Sequence, residues 1–206
     1  TQQCFARTQI AKYFKTERAL EWQNWVCDAK GIFDGLGGPV RIKYFIESDT
    51  ECEARVAFEN LNGGSVTLNG EALDFNNGIW KFDRSFRTAP VKIRKGTNIF
   101  EHSFDFNHRS DIEACYVYGN FGVNILNKNI GQITALPEKI KLGSWVPQGL
   151  PFYVGSVKYK FSADIDSGKA MLKVKNPVCT LFRVSVTAKK SKMYGSLLMN
   201  AIFQIS

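Results

Sequence analysis

The sequence predicts an all-β protein, an antiparallel β-sandwich followed by a second, incomplete β module. Apolar and polar residues alternate in short runs, as in Val40, Ile42, Tyr44 and Ile46, and this period of two places the apolar residues on one strand face. Gly and Asn pairs that favour tight turns separate the runs. Helical spacing is confined to residues 8–26, where one or two short helices are expected.

Further alternating runs continue the pattern along the chain. They are Ala54/Val56/Phe58, Val66/Leu68, Phe100/Phe104/Phe106, Ile112/Ala114/Tyr116/Tyr118, Val157/Tyr159/Phe161, Ala170/Leu172/Val174 and Phe182/Val184/Val186. Short strands of this kind, separated by turn residues, are typical of antiparallel sandwiches with one buried and one solvated face.

Gly and Pro residues divide the chain into four segments. Residues 1–38 form a lead-in that ends in a Gly-rich stretch before Pro39, and residues 39–124 hold the strands of the sandwich. Residues 125–155 form a connector, and residues 156–206 begin a second β module. The second module contains about four strands, too few to close a two-sheet sandwich. It is therefore either truncated or completes the first.

Several sequence features concern the origin of the chain. No apolar run approaches the ~18 residues that a membrane helix needs, so no membrane partner is expected. The first residue is not Met and no signal-peptide pattern follows it, so we expect a piece of a longer protein. The five widely spaced cysteines form no C-x-x-C pair, which predicts buried thiols and a cytoplasmic location. A secreted location is the alternative, because the native N-terminus, which would carry any signal peptide, is expected to be missing.

The net charge of +8 belongs almost entirely to the last quarter of the chain. Residues 1–155 hold 18 Lys and Arg against 17 Asp and Glu, whereas residues 156–206 hold nine against two. A basic segment with interspersed aromatic residues is one way to bind nucleic acid or an acidic glycan, so a polyanion-binding module is the alternative function. No recognised nucleic-acid-binding motif is present, and nucleic acid is not the expected partner.

No residue pattern identifies a catalytic, metal or cofactor site. Glycoside hydrolysis needs two facing carboxylates, and the acids available are scattered without a motif: Asp83, Glu101, Asp105, Asp111 and Glu113. The only two histidines, His102 and His108, lack metal-ligand spacing. We therefore predict no catalytic residue, no metal and no cofactor in this chain.

Four stretches of the chain resemble a known family in their order. Val66-Thr67-Leu68-Asn69-Gly70 ends one strand in a turn, and Lys95-Gly96-Thr97-Asn98-Ile99-Phe100 opens another. Ile112–Val123 and Gly149–Tyr159 add a Tyr-rich strand and a Gly-Leu-Pro-Phe-Tyr segment. This order is similar to the sugar-binding jelly-roll (galactose-binding-like) region of family 2-type and rhamnosidase-like bacterial glycoside hydrolases. The second module departs from that pattern, because it lacks its own Gly-x-Asn turn and its final strands.

The resemblance implies a non-catalytic accessory region of a larger glycoside hydrolase, either carbohydrate-binding or purely a scaffold. Its partners would be carbohydrate or the catalytic domain of the same protein, and nothing in the chain matches a catalytic barrel. A sugar site pairs an aromatic ring with polar donors and acceptors, since pyranose rings offer apolar C–H faces and hydroxyl edges. The best local cluster for such a site is Asn76, Asn77, Trp80, Asp83 and Arg84, and the second is Trp145 with Gln148. Packing within the sandwich is the structural alternative for Trp80.

Overall fold

The structure is a computed structural model that describes residues 2–16, 24–76, 78–80, 82–113, 115–127, 130–160, 170–175, 181–185, 191–195 and 200–205. The chain forms two compact units, Thr1–Gly155 and Ser156–Ser206.

Two helices and nine strands are described in the first unit. They are α1 (Gln2–Tyr13), α2 (Asn24–Lys30), β1 (Gly38–Ser48), β2 (Cys52–Phe58), β3 (Ser65–Leu68), β4 (Glu71–Ala72), β5 (Arg87–Ile93), β6 (Gly96–Phe106), β7 (Cys115–Gly119), β8 (Gly122–Asn127) and β9 (Ile130–Thr134). A short 3-10 helix, Val146–Gln148, follows β9.

The strands form two sheets. The larger, six-stranded sheet has the order β4-β3-β6-β1-β9-β8, and the smaller, three-stranded sheet has the order β5-β2-β7. All neighbours are antiparallel except β1 and β9, which pair in parallel through Glu47 and Ser48. The predicted all-β sandwich is thus confirmed, while its jelly-roll character stays a prediction from the resemblance.

The core lies between the two sheets because each strand alternates buried and exposed residues. On β2, Ala54, Val56 and Phe58 point inward and are buried, as the sequence alternation predicts. They meet inward residues of the six-stranded sheet such as Val66 and Phe100. Burial of apolar side chains at about 25 cal/mol per Å² is the main force that holds two such sheets together.

Helix α1 packs on apolar residues of the six-stranded sheet. Ala11 of α1 is completely buried against Phe104, Phe106 and Ile112. Helix α2 is tied to the turn after β6, because Asp28 accepts hydrogen bonds from His108 (2.8 Å) and Arg109 (2.9 Å). These two contacts hold the pKa of Asp28 below its ordinary value.

Several predicted boundaries differ from the observed ones. Strand β8 crosses residue 124, and β9 lies inside the segment predicted as a connector, where it adds to the six-stranded sheet. Residues 112 and 113 precede β7 and are not part of a strand, and residues 157–160 are not in a strand either. The helices occupy 2–13 and 24–30, so helical structure starts earlier and ends later than the predicted 8–26.

The described part of the second unit consists of two antiparallel strand pairs. Strand β10 (Ala170–Lys175) pairs with β13 (Asn200–Ile205), and β11 (Leu181–Ser185) pairs with β12 (Ser191–Gly195). Among the described residues of the whole chain, no helix is long and apolar enough to cross a membrane.

Candidate functional site

The segment that carries the first predicted sugar cluster folds as an irregular hairpin against the edge of β5. Thr88 donates its backbone N–H to Gly78 (2.9 Å), and Trp80 donates to Phe86 (3.3 Å). Ile79 and Arg87 form an isolated antiparallel bridge between these two contacts. The hairpin therefore extends the three-stranded sheet locally and fixes the backbone position of Trp80.

Gly78 is required for this close approach. A Cβ atom at this position would lie 1.8 Å from the carbonyl oxygen of Thr88, far inside van der Waals contact. Only glycine lets the two backbones meet so closely.

Trp80 lies in a cluster of aromatic rings outside the inter-sheet core. Its indole stacks on Tyr118 (centroids 5.4 Å apart, planes at 28°) and lies tilted against Tyr116 (5.6 Å). Phe86 and Phe82 meet it edge to face at 5.2 and 5.9 Å. The alternative that Trp80 packs between the sheets is not what the structure shows, because both tyrosines project from the outer face of β7.

The strand register arranges the outer face of the three-stranded sheet in rows. Residues directly opposite each other in antiparallel strands project to the same face. The first row is Thr88, Ala57 and Tyr116; the second is Pro90, Arg55 and Tyr118; the third is Lys92 and Glu53, with Asn120 just beyond the end of β7. The first two rows contain one residue from each strand of the sheet, in the order β5, β2, β7.

The hairpin covers the first row and leaves the other two open. Trp80 contacts Phe86 on the β5 side and Tyr116 on β7, so its indole spans the row between them. This accounts for the complete burial of Ala57 and the 1% exposure of Thr88. Beyond the aromatic wall, the second and third rows line a shallow depression of about 630 Å³.

Arg55 lies in the middle of this depression. Its Nη2 donates to the buried hydroxyl of Thr88 (3.0 Å), which holds the guanidinium beside Tyr118. Among the described residues, no carboxylate lies within ion-pair distance of it, whereas neighbouring Lys92 pairs with Glu51 (3.5 Å). A guanidinium carries five N–H donors, so most remain available to a ligand.

Of the polar residues predicted around Trp80, the three that the structure describes, Asn76, Asp83 and Arg84, do not line the depression. Asp83 accepts hydrogen bonds from the backbone N–H (2.9 Å) and hydroxyl (2.8 Å) of Ser85, which shape the hairpin turn and lower its pKa. Asn76 is exposed in a turn in which its N–H donates to Asp74 (2.8 Å). Arg84 is exposed at the hairpin tip, and Asn77 lies outside the described residues.

The second predicted cluster forms a self-contained loop. The side-chain amide of Gln148 accepts from the N–H of Lys141 (2.7 Å) and donates to the carbonyls of Lys141 (3.0 Å) and Ser144 (2.8 Å). Trp145 packs edge to face on Tyr153 at 5.7 Å. Because Gln148 already uses both ends of its amide, its role is to close the loop.

A second depression, of about 690 Å³, lies on the outer face of the six-stranded sheet beside Arg41, Ser103 and Asp105. Its one aromatic residue, Phe104, is buried toward the core. Arg41 is also paired with Glu101 at 3.1 Å. This surface offers no ring on which a sugar could stack, so the aromatic-walled depression is the better candidate.

Three of the candidate carboxylates are engaged by cations or by each other. Glu101 is held between Arg41 and Lys43, at 3.1 and 3.3 Å. Asp111 and Glu113 do come together, but they share a hydrogen bond, whereas a scissile bond needs carboxylates ~5–10 Å apart. Within the described ranges, no group of three His, Cys, Asp or Glu side chains is placed to hold a metal ion.

The two histidines have structural environments. His102 is buried in the core, where Nε2 donates to the carbonyl of Leu61 (2.9 Å), and burial lowers its pKa. His108 contacts Asp28 and Phe33 and so links α2 to the turn after β6.

Sequence reasoning found Trp80 but missed the two tyrosines that it contacts and the residues that line the neighbouring depression: Tyr116 and Tyr118, and Arg55, Glu53, Lys92 and Asn120. They come from three strands separated by up to about half of the unit's length, and only the register brings them together. The alternation of Tyr116, Val117 and Tyr118 indicates that both tyrosines share a face. It does not indicate whether that face is buried or solvated.

Comparison with protein-family models, with curated proteins and with solved structures finds no match to this chain. No family is assigned, and the likeness to glycoside hydrolase jelly rolls rests on the quoted sequence stretches alone.

Proposed function

We propose that this chain is a non-catalytic, carbohydrate-binding β-sandwich region that serves as an accessory to a glycoside hydrolase. The observation that carries the proposal is Tyr118, which lines an open depression on the outer face of the three-stranded sheet, together with Trp80, which stacks on it. Aromatic rings placed outside the core, with polar groups next to them, match the two kinds of surface that a pyranose ring presents.

Size and composition of the depression support the same proposal. Successive outward residues along a strand are ~7 Å apart and three strands span ~10 Å, so the two open rows offer a floor that fits one sugar ring. Arg55, Glu53 and Asn120 provide donors and acceptors for hydroxyl groups on this floor. The link to a glycoside hydrolase comes from the sequence resemblance, which also supplies the second proposed partner, a catalytic domain of the same protein.

A glycan array probed at low and at high salt tests this proposal. We expect binding that persists at high salt and weakens about tenfold or more in Tyr118→Ala and Trp80→Ala, because each removes part of the stacking wall. Trp25→Ala is the matched control, since Trp25 is 70% exposed on α2 and makes no part of the wall. Thermal unfolding of each variant establishes that it is folded.

Other outcomes would contradict it. Binding confined to acidic polymers, abolished by salt and unchanged in Tyr118→Ala, would favour the polyanion-binding alternative through residues 156–206. No binding to any glycan by a folded protein would leave a scaffold as the function. Loss of binding in Trp145→Ala but not in Trp80→Ala would move the site to the loop closed by Gln148.

A further inference from the structure

We propose that the depression beside Trp80 recognises a sugar that carries a carboxylate, such as a uronic acid, and that Arg55 is the residue that selects it. This inference rests on the proposed carbohydrate-binding function and narrows its ligand class. Three features of Arg55 support it: its central position on the floor, the hydrogen bond that restrains its guanidinium, and its lack of a carboxylate partner among the described residues.

The position of Arg55 is central to the open floor. It belongs to the second row, between Pro90 on β5 and Tyr118 on β7, directly beside the aromatic wall. A sugar ring that stacks against the wall and lies on this floor therefore has its substituents within reach of the guanidinium. The ring's C6 substituent is the group that distinguishes a uronic acid from its neutral counterpart.

The guanidinium is held in place before any ligand binds. Its Nη2 donates to Thr88 Oγ1 at 3.0 Å, and Thr88 is itself buried under the hairpin. A donor that is already fixed loses less conformational entropy on binding, which favours a specific geometry. Lys92, which lines the same depression with 69% of its side chain exposed, is held instead by an ion pair with the exposed Glu51.

The charge of Arg55 is not neutralised within the part of the chain that the structure describes. Its cationic neighbour Lys92 already pairs with Glu51, Arg41 on the other sheet pairs with Glu101, and Arg94 in the turn after β5 pairs with Glu71. Arg55 instead donates to a neutral hydroxyl, that of Thr88. A planar guanidinium presents a fork of N–H groups that matches a carboxylate, and such charge-assisted pairs are about twice as strong as neutral hydrogen bonds.

Titration calorimetry of the full chain with matched oligosaccharides tests the inference. The probes are short oligomers of galacturonate, glucuronate and iduronate, each compared with its carboxyl-reduced counterpart, which keeps the same ring and linkage. We expect at least one acidic oligomer to bind about tenfold or more tightly than its reduced form. Arg55→Gln should remove this preference, because it should weaken binding of the acidic oligomer about tenfold more than binding of the reduced form.

Two control variants separate this role from general effects of charge or folding. Arg55→Lys keeps the charge but not the fork and should retain only part of the preference. Arg94→Gln removes an exposed arginine in the turn after β5, which does not line the depression, and should change nothing. A preference for the acidic oligomer that Lys173→Gln abolishes and Arg55→Gln does not would assign the carboxylate to the basic second unit and overturn the inference.

The failure of this inference is distinguishable from failure of the proposed function. Equal binding of acidic and reduced oligomers, both weakened by Tyr118→Ala, would refute the role of Arg55 and leave the sugar-binding surface intact. No binding of any oligomer by the folded protein would refute both.

Discussion

Asn98 holds together the turn that connects β5 and β6. The residue is completely buried, its Oδ1 accepts from the N–H of Arg94 (3.0 Å) and its Nδ2 donates to the carbonyls of Arg94 (2.7 Å) and Gly96 (3.2 Å). Asn69 of the neighbouring turn donates to the same Oδ1 (3.1 Å). One side chain thus satisfies the polar groups of two turns that would otherwise be buried without partners.

Removing this side chain should destabilise the protein strongly. We expect Asn98→Ala to lower the free energy of unfolding by about 3 kcal/mol, because several buried polar groups lose their partners at once. Asn124→Ala, an exposed asparagine of β8, should change it by less than about 0.5 kcal/mol. Urea unfolding measures both. Equal stability of the two variants would show that water replaces the Asn98 contacts.

Glu113 is the carboxyl group whose ionisation the structure disturbs most clearly. A hydrogen bond with Asp111, partial burial and the charges of Asp111 and Glu59 raise the pKa of Glu113 to about 7, against the opposing effect of Arg7. Arg7 instead pairs directly with Asp111 at 2.9 Å. Glu113 therefore keeps its proton in the folded protein at pH values where the unfolded chain has lost it.

This difference gives a pH dependence with a definite sign. The folded state binds the extra proton between pH ~4.5 and ~7, so the contribution of Glu113 to stability is present below this window and is lost as the pH rises through it. Glu113→Gln keeps a donor for Asp111 without the charge. Its stability relative to the natural protein should therefore increase from pH 5 to pH 8, by about 1 kcal/mol.

Urea unfolding at four pH values between 5 and 8 checks this expectation. The comparison of variant with natural protein cancels other groups that titrate in the same range, such as His102, whose lowered pKa makes acid destabilising. Glu138→Gln, at an exposed position, serves as the control and should show no trend. A difference between Glu113→Gln and the natural protein that does not vary with pH would contradict the shared proton.

At the scale of elements, the candidate site depends on the hairpin of residues 78–88, which positions Trp80. Gly78→Ala would place a Cβ atom against the Thr88 carbonyl, so the hairpin must move away from β5. We expect this variant to lose about 2 kcal/mol of stability, to expose Trp80 and to lose glycan binding. Near-ultraviolet circular dichroism and fluorescence quenching report the change at the indole.

A glycine with more room provides the control for this prediction. In Gly131→Ala the new Cβ would meet only the end of the Val123 side chain at 3.3 Å, so a small adjustment suffices. Its stability and binding should stay close to those of the natural protein. If Gly78→Ala binds glycans as the natural protein does, the aromatic wall is not the site.

The same elements show what the sequence determines locally and what it does not. Alternation predicted the inward faces of β1, β2 and β6, because a half-buried strand imposes a period of two on its own residues. The Asn69-Gly70 turn was predictable too, and both residues have the positive φ (51° and 87°) that a tight hairpin needs. The parallel pairing of β9 with β1 was not, since it joins residues 85 positions apart, Ser48 and Ile133, for which no local pattern exists.

The candidate site likewise combines a residue that the local sequence identifies with residues that only long-range strand pairing brings together. Trp80 was identified because an indole beside Asn, Asp and Arg is visible within one stretch of sequence. Arg55 and Tyr118 become neighbours only through the pairing of β2 with β7. The polar residues nearest Trp80 in sequence turned out to shape its hairpin instead, as Asp83 does, because short polar side chains readily bond to backbone groups close by.

At the scale of the whole molecule, the first unit contains buried apolar clusters of its own. The largest cluster, between the two sheets, runs from Ala54 to Ile133, and the cluster beneath α1 runs from Ala11 to Ile112. The division between the two units falls after Gly155. The first unit thus has its own hydrophobic core, which is what an independently folding domain requires.

A chain ending at Gly155 should therefore fold on its own and unfold in a single cooperative transition. We expect its midpoint of thermal unfolding to lie within a few degrees of the main transition of the full chain, because every described core residue is retained. Binding to the glycan that the full chain recognises should also persist, since the wall and floor of the depression belong to residues before 121. Calorimetry and glycan titration of both proteins measure these properties. A shortened chain without a cooperative transition would instead mean that residues 156–206 complete the first sandwich. This is the alternative in the sequence analysis, where about four strands are too few to close a second sandwich. Retained folding with lost binding would place essential ligand contacts in the second unit, and the basic charge concentrated there would then become the first property to examine.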